Sequence, residues 1–259
     1  MCERYYDGML RAHLFEKRIV TDPLFRWRGG EVSRIEGLSD GVFALAVTML
    51  VMRQDVPRTF HELWATLRDL PVFVASFALV MLAWRYHYLF FRRYGLQDVA
   101  TIVLNSAYLL LVLFCVYPLK FLATFLWHLV LGRPVGPMFE VPAGSAPWSD
   151  LAQRSDMMVF YGLAIGGVFG LQGLMLLWAL HERERLELDR VERFLTKASL
   201  VAQTITVAIA LLSIGVALSG RPDIAGIVYF LMAPLHAAWG AWSAGHARKL
   251  AGAVAAGVM

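Results

Sequence analysis

The chain has 259 residues, of which 58% are hydrophobic, 13% aromatic and only 17% charged, with a mean hydropathy of +0.57. That is too apolar for an ordinary soluble domain and describes an integral membrane protein. The net charge of +4 is small, and the basic residues sit near the ends of apolar runs, so no nucleic-acid partner is expected.

Residues 1–30, "MCERYYDGMLRAHLFEKRIVTDPLFRWRGG", contain no uninterrupted apolar core and no small-residue cleavage site, so they read as a cytoplasmic arm rather than a secretory signal. Residues 31–259 read as one all-α, polytopic transmembrane domain. Cys2 and Cys115 lie in different settings without metal-ligand spacing, and neither a disulfide nor a metal site is expected.

The first apolar run is "RIEGLSDGVFALAVTMLVM", 34–52, with Arg34, Glu36 and Asp40 at its mouth and Arg53 directly after it. From Gly41 to Met52 only 12 residues are uncharged, fewer than the roughly 20 a spanning helix needs. This run crosses a membrane only if its charges are shielded from lipid by protein. On a helix Leu45, Met49 and Met52 form one stripe with Thr48 beside it, read either as ordinary packing or as apolar rings around an axis shared by several subunits. "HELWATLRDL", 61–70, is short and amphipathic, which suits the outer surface.

Five longer apolar stretches follow, 71–91, 99–127, 157–180, 198–219 and 224–243, and with the first run they predict six spans. Trp84 and His87 lie toward the inner end of the second span, and Asn105 and Pro118 in the third. His87 and Asn105 suit hydrogen bonds between helices, and equally a part in transport or proton sensing. The segment 132–150 holds four of the ten prolines and predicts a long external loop. Gly162, Gly166, Gly170 and Gly173 predict close helix packing on the fourth span. In 181–197, "HERERLELDRVERFLTK", acidic and basic residues alternate at helical spacing, which predicts a solvated helical cytoplasmic linker. Most basic residues fall on the side of the arm, Arg92, Arg93, this linker, Arg248 and Lys249, so both termini are placed in the cytoplasm.

No zinc-protease, nucleophile-elbow or Walker-type motif occurs, so no enzyme and no cofactor is expected. A T-V-G-Y-G potassium filter is also absent from the sequence.

The ordered set Arg34-x-x-x-Leu38-Ser39-Asp40 before an apolar run with Thr48, then Trp84 and His87 in "AWRYHYLF", Asn105 in "VLNSAYLLLV" and Pro118 in "YPLKFL" resembles one family. It is that of the bacterial potassium channels related to the endolysosomal channel transmembrane protein 175. The resemblance covers roughly residues 34–126. It implies a homotetramer of six-span subunits in a bacterial cell membrane, surrounded by lipid, with the first helix lining a central pore and K+ as the permeant ion. Leu45 then falls at an apolar constriction, with Met49 and Met52 further out. Arg34, Ser39 and Asp40 fall on the motif that ties helix ends together, with Trp84, His87 and Asn105 as partners. Two positions depart from the pattern: Leu38 stands where the signature has phenylalanine, and Arg53 at the outer mouth stands where many members carry aspartate. A potassium-preferring leak channel is therefore expected, beside two other readings: a non-conducting membrane interaction protein, and a proton-coupled carrier using His87 and Asp40.

Overall fold

A computed structural model describes residues 24–52, 58–68, 70–134, 136–139 and 150–256. Its regular elements are helices: α1 Arg34–Met52, α2 Phe60–Arg68, α3 Leu70–Tyr94, α4 Val99–Val130, α5 Asp150–His181, α6 Arg190–Leu218, α7 Pro222–Val228 and α8 Met232–Ala255. Short 3-10 turns occupy Gly136–Phe139 and Tyr229–Leu231.

The helices start and stop where local chemistry dictates. Ser33 and Glu36 cap α1 reciprocally: the Ser33 amide donates to Glu36 Oε2 at 2.8 Å and the Glu36 amide to Ser33 Oγ at 3.2 Å. Asp189 and Glu192 form the same box at the start of α6. α3 ends at a tight turn in which Gly95 takes a left-handed φ of 59°, a conformation that a Cβ disfavours. Asp98 then caps α4 by accepting from the Thr101 amide, and it also accepts from the Trp178 indole of α5. Burial raises the Asp98 carboxyl, but those donors and the nearby Arg185 outweigh it and hold it below the ordinary carboxylate range.

Five stretches among the described residues are long and apolar enough to cross a membrane: α3, Val99–Val116 of α4, Leu151–His181 of α5, α6 and the α7–α8 stretch Pro222–Val254. α1 is not one of them. Its 19 residues rise about 28 Å, close to the roughly 30 Å of a bilayer core, but its first two turns are charged. The last predicted span is interrupted, because the 3-10 turn at Tyr229–Leu231 separates α7 from α8. The segment 132–150, expected as an external loop, is described only at its ends and at Gly136–Phe139, which packs Phe139 into the core against Phe125.

Three buried clusters stack along the bundle. The first, around Phe25, Phe91, Tyr94 and Leu188, sits at the end where the N-terminal arm enters. The second, around Phe43, Ala83 and Tyr108, joins α1 to α3 and α4. The third, around Phe125, Met158 and Tyr161, closes the opposite end, where Arg154 of α5 pairs with Asp223 of α7 at 3.0 Å.

The segment 181–197 differs from its expected form. α5 stops at His181 and α6 starts at Arg190, and the turn between them carries Glu187 at a φ of 47°. Leu186 and Leu188 are buried, and Glu192 is 0% exposed. The alternation of charge therefore spans a helix end, a turn and a helix start, and one of its carboxylates is a core residue.

The glycine stripe of α5 does receive α6. A Cβ at Gly162 would overlap the Ile214 side chain and meet the Ala210 carbonyl oxygen at 3.2 Å, while one at Gly166 would touch Ala210 Cβ at 3.6 Å. Gly162→Val is expected to cost about 1–3 kcal/mol through overpacking. Thermal unfolding in detergent measures it, and a midpoint equal to that of the parent protein would show that α6 can move aside.

Candidate functional site

α1 has two sides. Glu36, Ser39, Phe43, Ala46 and Leu50 are buried against the rest of the chain. Arg34, Leu38, Asp40, Gly41, Ala44, Leu45 and Thr48 are exposed, with Leu38 at 66% and Leu45 at 51%. Leu38, Gly41, Leu45 and Thr48 recur every three or four residues and so share one face. Thr48 satisfies its own hydroxyl by donating to the Ala44 carbonyl at 2.8 Å. Met49, expected on the stripe with Leu45, is half-buried and packs against the Phe43 cluster, because that edge of α1 turns toward α3 and α4. The side chain of Met52 and the whole of Arg53 lie outside the described residues.

At the base of α1 the structure assembles a directed chain of hydrogen bonds. His87 Nε2 lies 2.8 Å from Asn105 Oδ1, Asn105 Nδ2 donates to Ser39 Oγ at 3.1 Å, and Ser39 Oγ donates to the Ile35 carbonyl at 2.8 Å. Since Asn105 Oδ1 only accepts, His87 must carry its proton on Nε2 for the chain to close. All three side chains are at most 2% exposed. Such groups are costly to bury unless they bond to one another, so the chain fixes the rotation of α1 against α3 and α4. His87 also stacks on Tyr108 with ring centroids 5.8 Å apart.

Asp40 bonds elsewhere, accepting from the Trp84 indole at 2.9 Å. No hydrogen bond joins it to His87 among the described residues. His87, Asn105 and Ser39 are thus joined in one chain of hydrogen bonds, and Asp40 and Trp84 in a separate pair. Arg34 does not join them: it is exposed and makes no ion pair among the described residues.

The arginine that does meet α1 is Arg92, expected from the sequence only as one of the basic residues of the cytoplasmic side. Arg92 Nη2 pairs with Glu36 Oε1 at 2.8 Å, with both side chains below 10% exposed. Glu36 therefore caps α1 with one oxygen and binds α3 with the other. Arg92 Nη1 reaches the carbonyls of Gly29 and Gly30 at 3.4 and 3.3 Å, and its guanidinium lies over the Trp27 ring. Residues 27–30 thus pack around Arg92. A Cβ at Gly29 would come within 2.5 Å of the Phe91 carbonyl oxygen, so the arm can lie this close only with glycine there.

A second arginine–glutamate pair repeats the device. Arg28 donates to both oxygens of Glu192, at 3.0 and 2.6 Å, and the Arg26 amide donates to the same carboxylate at 2.8 Å. The available sequence signal was the two capping boxes, Ser33-x-x-Glu36 and Asp189-x-x-Glu192. It marks both glutamates as helix starts, though not their arginine partners.

Among the described residues no group of three or more His, Cys, Asp or Glu is placed to hold a metal ion.

The family model described as the endosomal/lysosomal potassium channel TMEM175 matches residues 34–118, which span α1, α2, α3 and the first part of α4. A protein of Marivirga tractuosa named potassium channel is 37% identical over 92% of this chain and 98% of its own length. One of Chamaesiphon minutus, also named potassium channel, is 34% identical over 38% of this chain and 52% of its own. The crystal structure of a threonine-to-alanine variant of the potassium channel MtTMEM175, in complex with a nanobody–MBP fusion, superposes with a TM-score of 0.71 at 36% identity, covering 86% of this chain and 98% of that one.

Proposed function

The chain belongs to the TMEM175 potassium-channel family, and from that premise we propose that it is a potassium-preferring, leak-type channel whose conduction path is lined by α1. Four copies would bring their first helices to a common axis, since one short helix per subunit encloses a pore only as part of a closed ring. α1 then acts as the sixth span, with both termini at the cytoplasmic face of a bacterial cell membrane.

One observation carries this reading. The outward side of α1 combines Arg34, Asp40 and Thr48 with Leu38 and Leu45. Charged residues on a lipid-facing surface are costly, and within spans they face protein or water. An outward side of this composition fits contact with neighbouring subunits and an aqueous axis better than contact with acyl chains. Leu45 is then the residue whose side chains narrow the path, so that a passing ion sheds part of its hydration. The buried chain from His87 to Ile35 and the Glu36–Arg92 pair would hold each α1 at a fixed rotation, which keeps the four Leu45 side chains in register.

Native mass measurement in mild detergent should give four copies of the 29.0 kDa chain. Liposomes holding the same sample under a potassium gradient should pass K+ at rates that a carrier cannot reach. A monomer or dimer in every detergent would remove the axial pore. A tetramer without flux would instead favour the non-conducting interaction protein, and slow flux coupled to protons the carrier.

A further inference from the structure

α2, Phe60–Arg68, has two unlike sides, and its apolar side is open. Phe60, Leu63, Trp64 and Leu67 recur at i, i+3, i+4 and i+7, so they share one face. All four are between 41% and 77% exposed, and none belongs to the three buried clusters. Phe60 and Trp64 stack with ring centroids 6.3 Å apart, which joins them into one apolar surface. His61, Glu62 and Arg68, also exposed, lie on the remaining arc. A contiguous apolar face of this kind marks contact with a protein or with a membrane.

Local chemistry starts this helix but does not explain its persistence. The Glu62 amide donates to Thr59 Oγ1 at 3.2 Å, and the Arg58 amide to Glu62 Oε2 at 2.7 Å. Its nine residues are nonetheless fewer than the roughly 12–15 that an isolated helix needs in water, so α2 requires a surface against its apolar face. Its packing against the start of α3 leaves that face open.

The position of α2 in the chain indicates which surface this is. A single residue separates it from Leu70, where α3 begins, and α3 is long and apolar enough to cross a membrane. The arm packs on the other end of α3, at Phe91 and Arg92, so α2 lies where α3 leaves the hydrocarbon. On α3 a further exposed apolar stripe, Leu70, Val74 and Phe77, begins directly after it. Aromatic rings and leucines on one face and charges on the other suit the boundary between headgroups and acyl chains. Arg58 and Arg68, exposed near either end, complement anionic headgroups.

We propose that α2 lies in the plane of the membrane interface, with Phe60, Leu63, Trp64 and Leu67 among the acyl chains of a phospholipid leaflet and His61 and Glu62 in water. This placement requires that α3 cross the membrane, and not that α1 line a pore.

The test uses the full chain in liposomes of phosphatidylcholine and phosphatidylglycerol. With Cys2 and Cys115 replaced by serine, a nitroxide is attached at Leu63→Cys, at Leu67→Cys, or at His61→Cys on the polar side. Its collisions with oxygen, which concentrates in hydrocarbon, are compared with those with a water-soluble nickel chelate. Labels at positions 63 and 67 should meet oxygen more than the chelate, and the label at 61 the reverse. If the chelate reaches 63 and 67 as readily as 61, the face is in water and the proposal falls. If neither reagent reaches them and the labels of different subunits broaden one another, a second copy covers the face, which overturns the proposal as well. Trp64→Phe, in a chain with its native cysteines, gives an independent measure: the share of tryptophan emission quenched by lipids brominated near the headgroup should drop, and an unchanged share would place Trp64 away from the leaflet.

Discussion

Glu36→Ala should destabilise the fold by about 3–5 kcal/mol, the usual consequence of removing one partner of a buried ion pair, with about 1 kcal/mol more for the lost cap. The substitution would leave Arg92 buried, with Nε already lacking a hydrogen-bond partner and its remaining contacts among the described residues being the Gly29 and Gly30 carbonyls and aromatic rings. α1, α3 and the arm would loosen together, since all three meet at this guanidinium. Replacing both partners, as Glu36→Leu with Arg92→Met, should recover a large part of the loss, because a packed apolar pair leaves no charge unpaired. Unfolding followed by temperature and by denaturant would decide it. A loss below about 1 kcal/mol for Glu36→Ala, in the range of exposed pairs, would mean that water reaches Arg92 and that the pair is not the anchor of α1.

Leu45→Ala should have the largest effect on conduction. Leu45 is 51% exposed and lies on the outward face, so truncating it leaves the packing of α1 on α3 and α4 untouched. If four leucines contribute about 1.4 kcal/mol to the barrier, their removal raises K+ flux about tenfold, and discrimination against Na+ falls because ions pass with more of their hydration. Flux of both ions into liposomes, measured beside the unfolding midpoint, separates a pore effect from a folding effect. Unchanged flux and unchanged ion preference would move the constriction to Met49 or Met52.

The site was more legible in the sequence than its supports. Ser39, Asp40, Trp84, His87 and Asn105 were named as a set because their order resembles the family signature, and His87 and Asn105 also stand out locally as polar residues inside apolar runs. Arg92 and Glu192 do not stand out. Each sits among other charges at a helix end, where a solvated surface is the ordinary outcome, and only a partner distant in the chain makes it a core residue. Arg28 reaches Glu192 across a separation of 164 residues, which no local pattern encodes. For the same reason no local pattern marks the end of the arm as packed, although Phe25 is 1% exposed and Gly29 lies against α3.

Composition and hydropathy by themselves determined that the chain is a helical membrane protein and where its apolar helices run, because burying backbone in lipid leaves a helix as the available solution for a long apolar segment. Helix ends and the interruption at Tyr229–Leu231 were decided by caps and turns that hydropathy does not register. Only the tertiary structure decided which charges are buried and which side of α1 faces outward. Rotation of a helix about its axis costs almost nothing in the helix itself. Here it is set by the bonds from Ser39 to Asn105, from Asp40 to Trp84 and from Glu36 to Arg92, each made between elements that are adjacent only after folding.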